Sequence, residues 1–178
     1  MARVDFYILA QPDERARQLL ACKLAEKAWR LDNSVYIHTR DRADAERLDE
    51  LLWTFRDGSF VPHGLAGSDD GTESSPIVIG FTDDGHEGRD LLINLGDEIP
   101  GFAEGFPRVA ELVTSDGNCR NLSRQRYATY RDHGHELNTH KLCWTSPTAP
   151  TISSSALMSA GKRKAGSPLT ATAIPTAS

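Results

Sequence analysis

The hydrophobic and polar positions of the chain fall into short apolar runs and longer stretches with helical spacing. The short runs are rich in β-branched, aromatic and aliphatic residues and are bounded by turn formers, so they predict strands. These strands cover 4–9, 35–38, 76–81, 90–94 and 109–113. Stretches with apolar residues three or four positions apart predict helices, each opening at an aspartate. These helices cover 13–31, 41–53 and 116–133.

The order of these elements indicates the fold class. Strands that alternate with helices predict a three-layer α/β/α, Rossmann-like, mostly parallel sheet with right-handed crossovers. One domain over 1–142 accounts for all of them. From Cys143 onward Ser, Thr, Ala and Pro dominate and acidic residues vanish. Such a segment buries too little apolar surface to offset its ordering entropy, so 143–178 is predicted to be a disordered tail.

A Rossmann-like order raises the question of a bound nucleotide. The turn after the first strand, where a phosphate would lie, reads Ala10-Gln11-Pro12-Asp13-Glu14. It has no glycine for close backbone approach, and its two carboxylates oppose an anion. Neither GxGxxG nor GxxxxGK[ST] occurs in the chain. The sequence therefore predicts no nucleotide site and no cofactor.

The charge balance argues against direct DNA binding. Of the 20 Lys and Arg, three lie beyond residue 142, whereas all 25 Asp and Glu lie before it, so residues 1–142 carry a net charge of −8. A protein that binds the phosphate backbone of DNA directly normally presents a basic face. The three cysteines form no CxxC pair, no apolar run approaches the ~20 residues that span a bilayer, and no signal-peptide pattern opens the chain. A cytoplasmic protein, neither secreted nor membrane-embedded, is expected.

Three histidines near the end of the predicted domain raise the question of a metal. His133 and His135 form a His-x-His motif, and His140 follows. This spacing can supply two ligands, but no further set of Cys or acidic ligands is recognisable beside it. We interpret these histidines as polar surface residues and predict no metal site. Cys22, on the apolar side of the first helix, is interpreted as a core residue.

Two clusters remain that favour a binding function. Trp53, Phe55 and Phe60 lie at a junction between helix and loop, where they either close the core or anchor an interface. The last predicted helix carries a basic and aromatic cluster, which is unusual in an acidic protein. Its members are Arg120, Arg124, Arg126, Tyr127, Tyr130 and Arg131. Arg120, Arg124, Tyr127 and Arg131 follow spacings of three or four and share one helix face. Guanidinium groups pair carboxylates and Tyr packs apolar side chains, so this face suits an acidic peptide with a hydrophobic end.

Several segments, in order and at compatible spacing, resemble the chi subunit of the bacterial DNA polymerase III holoenzyme. The resemblance covers residues 1–142, and its most specific part combines Leu48-Asp49-Glu50-Leu51-Leu52-Trp53 with Phe60-Val61-Pro62-His63. The other segments are Phe6-Tyr7-x-Leu9, Ala21 to Trp29, Asp90 to Leu95, and Arg124-x-Arg126-Tyr127-x-x-Tyr130-Arg131.

This resemblance implies a function as well as a fold. Chi proteins are non-catalytic, have a Rossmann-like fold without a nucleotide, pair with the psi subunit, and bind the acidic, Phe-terminated tail of single-stranded DNA-binding protein. They are thereby connected to the clamp loader through psi and to DNA only indirectly. Carried over by position, Trp53, Arg124 and Tyr127 match the tail-binding site. Phe60, with Val61 beside it, matches the psi-facing loop.

The chain departs from the family at Ala128, where relatives often carry a basic residue. Arg120 or Arg131 is therefore expected to supply more of the charge for tail binding. Two other classes of function remain open. A nucleotide-dependent enzyme on the same scaffold is the main alternative, because a fold does not fix a function. Direct nucleic-acid binding through the last helix is the other.

Overall fold

The computed structural model describes residues 1–58, 60–67 and 74–142. The predicted tail, 143–178, lies outside the described residues. Within them, apolar runs and aspartate-capped helices alternate in the predicted order. The elements are β1 (Arg3–Leu9), α1 (Glu14–Arg30), β2 (Val35–His38), α2 (Arg42–Thr54), β3 (His63–Leu65), β4 (Ile77–Gly80), β5 (Leu91–Asn94), a 3-10 turn (Gly101–Gly105), β6 (Arg108–Val113), α3 (Gly117–Asp132) and β7 (Glu136–Leu142).

In the described part of the chain, seven strands form one sheet in the order β3-β4-β2-β5-β6-β1-β7. Every pairing is parallel. The predicted three-layer α/β fold is thereby confirmed, with a sheet that is parallel throughout rather than mostly so. None of the described helices is both long and apolar enough to cross a membrane.

Each helix begins at an aspartate whose side chain accepts hydrogen bonds from backbone N–H groups of the first turn. Asp13 caps α1 by accepting from the N–H of Arg15, and Asp41 caps α2 by accepting from that of Asp44. Asp116 caps α3 by accepting from the N–H groups of two residues in the first turn. Such caps satisfy donors that have no partner within the helix, and they carry negative charge at the positive end of the helix dipole.

The helices lie on opposite faces of the sheet, and this arrangement positions the functional surfaces. Neighbouring residues of β1 point to the two faces of the sheet. Tyr7 packs into the core cluster that contains the buried residues of α1 and α2. Phe6 packs into a second cluster that contains Tyr130 of α3. The crossovers from β1 to β2 and from β2 to β3 lead towards the edge of the sheet formed by β3. The crossover from β6 to β7 leads towards the other edge. Right-handed crossovers in opposite directions place their helices on opposite faces.

Two strands lie where the sequence predicts none. β3 falls between the predicted helix over 41–53 and the predicted strand over 76–81, and β7 falls in the segment after the last helix. β7 is an edge strand that pairs with β1 along its whole length. Its polar residues are held by long-range contacts, because His140 stacks on Tyr7 with ring centroids 4.9 Å apart and its Nε2 lies 3.1 Å from the buried carboxylate of Asp5.

Candidate functional site

One face of α3 presents the basic and aromatic residues that the spacing predicts. Arg120, Arg124, Tyr127 and Arg131 are all exposed, and we call these four residues the α3 surface. Arg131 lies 3.1 Å from the carboxylate of Asp132. Among the described residues, Arg120 and Arg124 have no carboxylate partner. Two guanidinium groups are therefore available for an external carboxylate.

Tyr127 forms the apolar part of the α3 surface. Its ring centroid lies 5.2 Å from that of Phe6, which is buried in β1, and 39% of Tyr127 is exposed. One side of the Tyr127 ring therefore packs against the sheet, and the other side is exposed to solvent. An aromatic ring held in this way can pack against an apolar side chain while its hydroxyl stays hydrated.

The opposite side of α3 is anchored by a buried polar network. The Nε of Arg126 donates to Oε2 of Glu111 at 3.0 Å, and the hydroxyl of Tyr130 donates to Oε1 at 3.0 Å. Asn94 donates to the same Oε1 at 3.0 Å. Burial, followed by the charge of Glu111, raises the pKa of Tyr130 and keeps its hydroxyl a donor. Arg126 and Tyr130, which the sequence grouped with the basic cluster, therefore fix the helix to β6 and β5 and are not part of the surface.

A second exposed cluster lies where α2 ends. Trp53 and Phe60 are 57% and 61% exposed, and their ring centroids are 5.3 Å apart. We call this pair the Trp53–Phe60 surface. Two adjacent aromatic rings with this exposure form an apolar patch of the kind that anchors protein interfaces. Phe55 lies outside it, since this side chain is partly buried against the core.

The structure shows the surroundings of two residues that the resemblance assigns to binding sites. Trp53 lies on α2, on the opposite face of the sheet from Arg124 and Tyr127 of α3, and its aromatic neighbours are Phe60 and His63. Val61 is 1% exposed and packs in the core under α1 and α2. The alternation of an extended segment turns Phe60 outward and Val61 inward.

His63 lies beneath the Trp53–Phe60 surface, and the sequence analysis did not propose it as a site residue. Its ring centroid is 5.1 Å from that of Trp53, and its Nδ1 lies 2.6 Å from the carbonyl oxygen of Val61. Its Nε2 lies 3.3 Å from Oδ1 of Asp49. Burial raises the pKa of Asp49, and the charge of His63 opposes that rise. The only sequence signal was the proximity of Phe-Val-Pro-His to a preceding Leu-Asp-Glu helix.

The carboxyl ends of the central strands, where Rossmann-like folds bind ligands, form an open crevice. A cavity of about 470 Å³ there is lined by residues that include His38, Arg40, Asp83, Asp97 and Glu98. Arg40 is already paired with two carboxylates, at 2.7 Å and 3.6 Å. Burial lowers the pKa of His38, which favours its neutral form. The balance of charge in the crevice is therefore acidic, which opposes a nucleotide phosphate.

The fold separates His140 from the other two histidines that were considered as metal ligands. His140 contacts Asp5, whereas His133 and His135 meet Glu104 of the 3-10 turn, with candidate ligand atoms within 4.8 Å of one another. Nδ1 of His135 accepts a hydrogen bond from the N–H of Ala2 at 3.1 Å. In the neutral ring the other nitrogen then carries the proton and cannot ligate. These residues fit a metal only if that hydrogen bond is broken.

These features define an α/β protein with a parallel sheet and two exposed candidate interaction surfaces on opposite faces. A family model described as "DNA polymerase III chi subunit, HolC" matches residues 1–138. The DNA polymerase III subunit chi of Pseudomonas aeruginosa is 44% identical over 142 residues, which are 80% of this chain and 98% of that protein. The chain belongs to the chi subunit family of DNA polymerase III, an accessory subunit in DNA replication.

More distant chi subunits match over the same region. That of Haemophilus influenzae is 35% identical over 140 residues, which cover 78% of this chain and 96% of that protein. That of Escherichia coli is 35% identical over 144 residues, which cover 78% of this chain and 97% of that protein. The family model ends at residue 138, within the predicted domain over 1–142.

Solved structures of unrelated sequence share the fold. The C-terminal domain of the DEAD-box protein Dbp5 is 15% identical, with a TM-score of 0.51, and the match covers 79% of this chain and 91% of that chain. A structure of an S. cerevisiae Dbp5 variant bound to Nup159, Gle1 and ADP gives the same TM-score at 13% identity, covering 77% of this chain and 41% of that chain. At such identities the likeness concerns the fold alone.

Proposed function

We propose that this protein is a non-catalytic adaptor of the DNA polymerase III clamp-loader complex. In this proposal the α3 surface binds the acidic, Phe-terminated tail of single-stranded DNA-binding protein, and the Trp53–Phe60 surface pairs with psi. Contact with DNA is then indirect, through the coated template on one side and the clamp loader on the other. No cofactor takes part.

The observation that carries the proposal is the chemistry of the α3 surface in an otherwise acidic domain. Arg120 and Arg124 lack carboxylate partners among the described residues, and they lie about two turns and one turn before Tyr127, whose ring is open on one side. The charges match acidic residues of a tail, and the ring matches a terminal Phe. Ala128 supplies no positive charge beside Tyr127, and we propose that Arg120 or Arg131 supplies it instead.

The second half of the proposal assigns Trp53 to the psi-facing side. Trp53 contacts Phe60 directly, and both rings are more than half exposed. An interface anchor is typically a large aromatic side chain at the centre of such a patch. Val61, next to Phe60 in the chain, is buried in the core.

Calorimetric titration of the full chain with an acidic peptide ending in Phe tests the tail site. We expect saturable binding of this peptide, and much weaker binding of the same peptide without its last Phe. Arg124→Ala should raise the Kd about tenfold, equivalent to about 1.4 kcal/mol, and added salt should weaken binding because the exposed charges are screened. Arg42→Ala is the matched control, since Arg42 is an exposed arginine on α2, on the other face.

One substitution in each surface tests whether the two surfaces bind their partners independently. Phe60→Ala should weaken psi binding while leaving the tail Kd unchanged, and Arg124→Ala should do the reverse. Phe81→Ala is the control for Phe60, because Phe81 is also an exposed aromatic residue. Loss of both partners by either substitution would contradict two separate surfaces, and binding of neither peptide would contradict the tail site altogether.

A further inference from the structure

The face of the sheet that carries α3 continues past that helix onto β7. Phe6 belongs to the core cluster on this face, and its register partner in β7 is Thr139. Lys141 lies two positions further along β7 and is the register partner of Ile8. Since alternate residues of a strand point to the same face, Thr139 and Lys141 both lie on the α3 side of the sheet. Both are exposed, so α3 leaves this edge uncovered.

The flank of α3 that carries Tyr127 faces the same edge. The side chain of Arg126 reaches Glu111 of β6 and the carbonyl oxygen of Asp97, which follows β5. Tyr127, the next residue of the helix, instead packs on Phe6 of β1, which lies between β6 and β7. The step around the helix from Arg126 to Tyr127 therefore leads from the centre of the sheet towards β7. The α3 surface borders the exposed side of β7.

The two elements bring Lys141 close to the level of Arg124. Thr139 marks the level of Tyr127, because Thr139 is the neighbour of Phe6 and Tyr127 packs on Phe6. A strand advances about 3.3 Å per residue, so Lys141 lies about 6.6 Å further along β7. Because α3 connects two parallel strands, it runs against their direction. At about 1.5 Å per residue, Arg124 lies about 4.5 Å from Tyr127 in the same direction as Lys141.

An apolar floor lies beside these charges. Ile8 and Leu137 are partly buried and pack against the core cluster that contains Phe6. Together with Thr139 and Lys141 they form a strip along the edge of the sheet, which we call the β7 strip. An apolar floor with a charged rim is suited to a peptide, because the floor packs its side chains and the rim selects its charge.

The charge of Lys141 is not neutralised within the described residues. No carboxylate among them lies within ion-pair distance of its ammonium group. Glu136 is the one acidic residue of β7, and its position in the strand directs it to the opposite face. Lys141 and Arg124 are therefore both available to external carboxylates. A domain with a net charge of −8 thus concentrates positive charge on the two sides of one apolar strip.

We infer that the β7 strip forms the second wall of the site for the acidic tail, where Lys141 binds a carboxylate that Arg124 does not reach. With its terminal Phe on Tyr127, an extended peptide carries the residues two to four positions earlier about 7–13 Å away. Lys141 lies at a comparable distance on the β7 side. Because the partner is the one assigned to the α3 surface, this assignment rests on the proposed function and adds a second element to the same site.

Lys141→Gln removes the charge from an exposed side chain and tests its role by calorimetric titration of the full chain. We expect the Kd for the acidic, Phe-ended peptide to rise about threefold to fivefold, as for a partly exposed ion pair. The salt dependence of binding should become shallower, because one charge pair fewer is screened. Arg42→Gln is the matched control, since it removes the same charge from the other face. A Kd and a salt dependence equal to those of the wild type would overturn the inference.

Charge added at Thr139 tests the path of the peptide over the strip. Thr139 is exposed and level with Tyr127, so a charged side chain is accommodated there without burial. Thr139→Lys should lower the Kd for the peptide, and Thr139→Glu should raise it. Far-UV circular dichroism and a thermal melt check that both variants keep the fold. Equal Kd values for the two variants would contradict a peptide that crosses β7.

A double-mutant cycle identifies the carboxylate that Lys141 binds. Each acidic residue of the peptide is replaced in turn by its amide, and every peptide is titrated against the wild type, K141Q and R124A. At one position the loss of affinity should disappear in K141Q and persist in R124A, because only contacting groups are coupled. If the wild type binds no peptide, the proposed function fails together with the inference. If it binds and R124A weakens binding, but K141Q is additive at every position, the inference alone is refuted.

Discussion

Replacing Arg126 with Met removes the positive charge that faces Glu111 beneath α3. Met has a similar length and is apolar, so the substitution preserves much of the packing and deletes the ion pair. Glu111 is fully buried, and its Oε1 would still accept from Asn94 and Tyr130. Its Oε2 would lose the guanidinium donor at 3.0 Å. An uncompensated buried carboxylate would remain.

The expected magnitude is large for a domain of this size. Breaking a buried pair by removing one partner typically costs about 3–5 kcal/mol, against a total stability of about 5–15 kcal/mol. Combining Arg126→Met with Glu111→Gln removes both charges. We expect the double variant to be more stable than the sum of the single effects predicts, since the two side chains are in direct contact.

Urea unfolding of the full chain, followed by far-UV circular dichroism, measures these free energies. Arg124→Met is the matched control, because Arg124 is exposed on the same helix, and its effect should stay within about 0.5 kcal/mol. The reasoning is refuted if Arg126→Met lies within about 1 kcal/mol of the wild type at an unchanged denaturant slope. Strict additivity in the double variant would equally show that Arg126 and Glu111 do not act as a pair.

Two further predictions concern the two core clusters. Gly80→Ala should destabilise the fold by about 1–3 kcal/mol, because a Cβ added at the end of β4 would overlap the hydroxyl of Tyr36. A thermal melt measures this loss of stability. Gly101→Ala is the control, because a Cβ at that position would lie in open space. Burial raises the pKa of Cys22 to about 12, so at about pH 8 roughly one thiol in ten thousand is ionised. Peptide mapping after alkylation should find Cys22 unmodified in the native chain and modified in urea, and rapid native labelling would contradict its burial.

Much of the fold was predictable because local signals and packing agree. The strands that the sequence predicted are mainly apolar, as expected for strands buried on both faces of a parallel sheet. The predicted helices open at Asp13, Asp41 and Asp116, and in the structure each of these side chains accepts a hydrogen bond from the first turn of its helix. Segments whose residues fit the pattern of a buried strand or an amphipathic helix were therefore predicted correctly.

The two missed strands show where local signals end. β3 has three residues, one of them glycine, and its partner β4 is the source of its order. β7 alternates polar and partly buried residues at a sheet edge, and its stability comes from Asp5 and Tyr7 at the other end of the sequence. A pattern of residues cannot reveal a strand whose stabilising contacts are more than a hundred residues away.

The candidate surfaces were predictable within one helix and not between helices. Spacings of three and four correctly indicated which residues of α3 share a face. They carried no information on which side of the sheet that helix lies, and the grouping of Trp53 with Arg124 and Tyr127 came from the resemblance alone. That side follows from strand order and crossover handedness, and strand order is a property of the assembled sheet.

The position of β1 between β6 and β7 has a consequence for biosynthesis. β1 leaves the ribosome before β6 and β7, which flank it in the sheet, and its hydrogen-bonding edges stay open until both have been made. Such long sequence separation slows folding, because the loop must close before the contacts form. Unpaired strand edges also invite association with other chains. A nascent chain of this protein is therefore most exposed to chaperones, and to misassembly, until Leu142 has emerged.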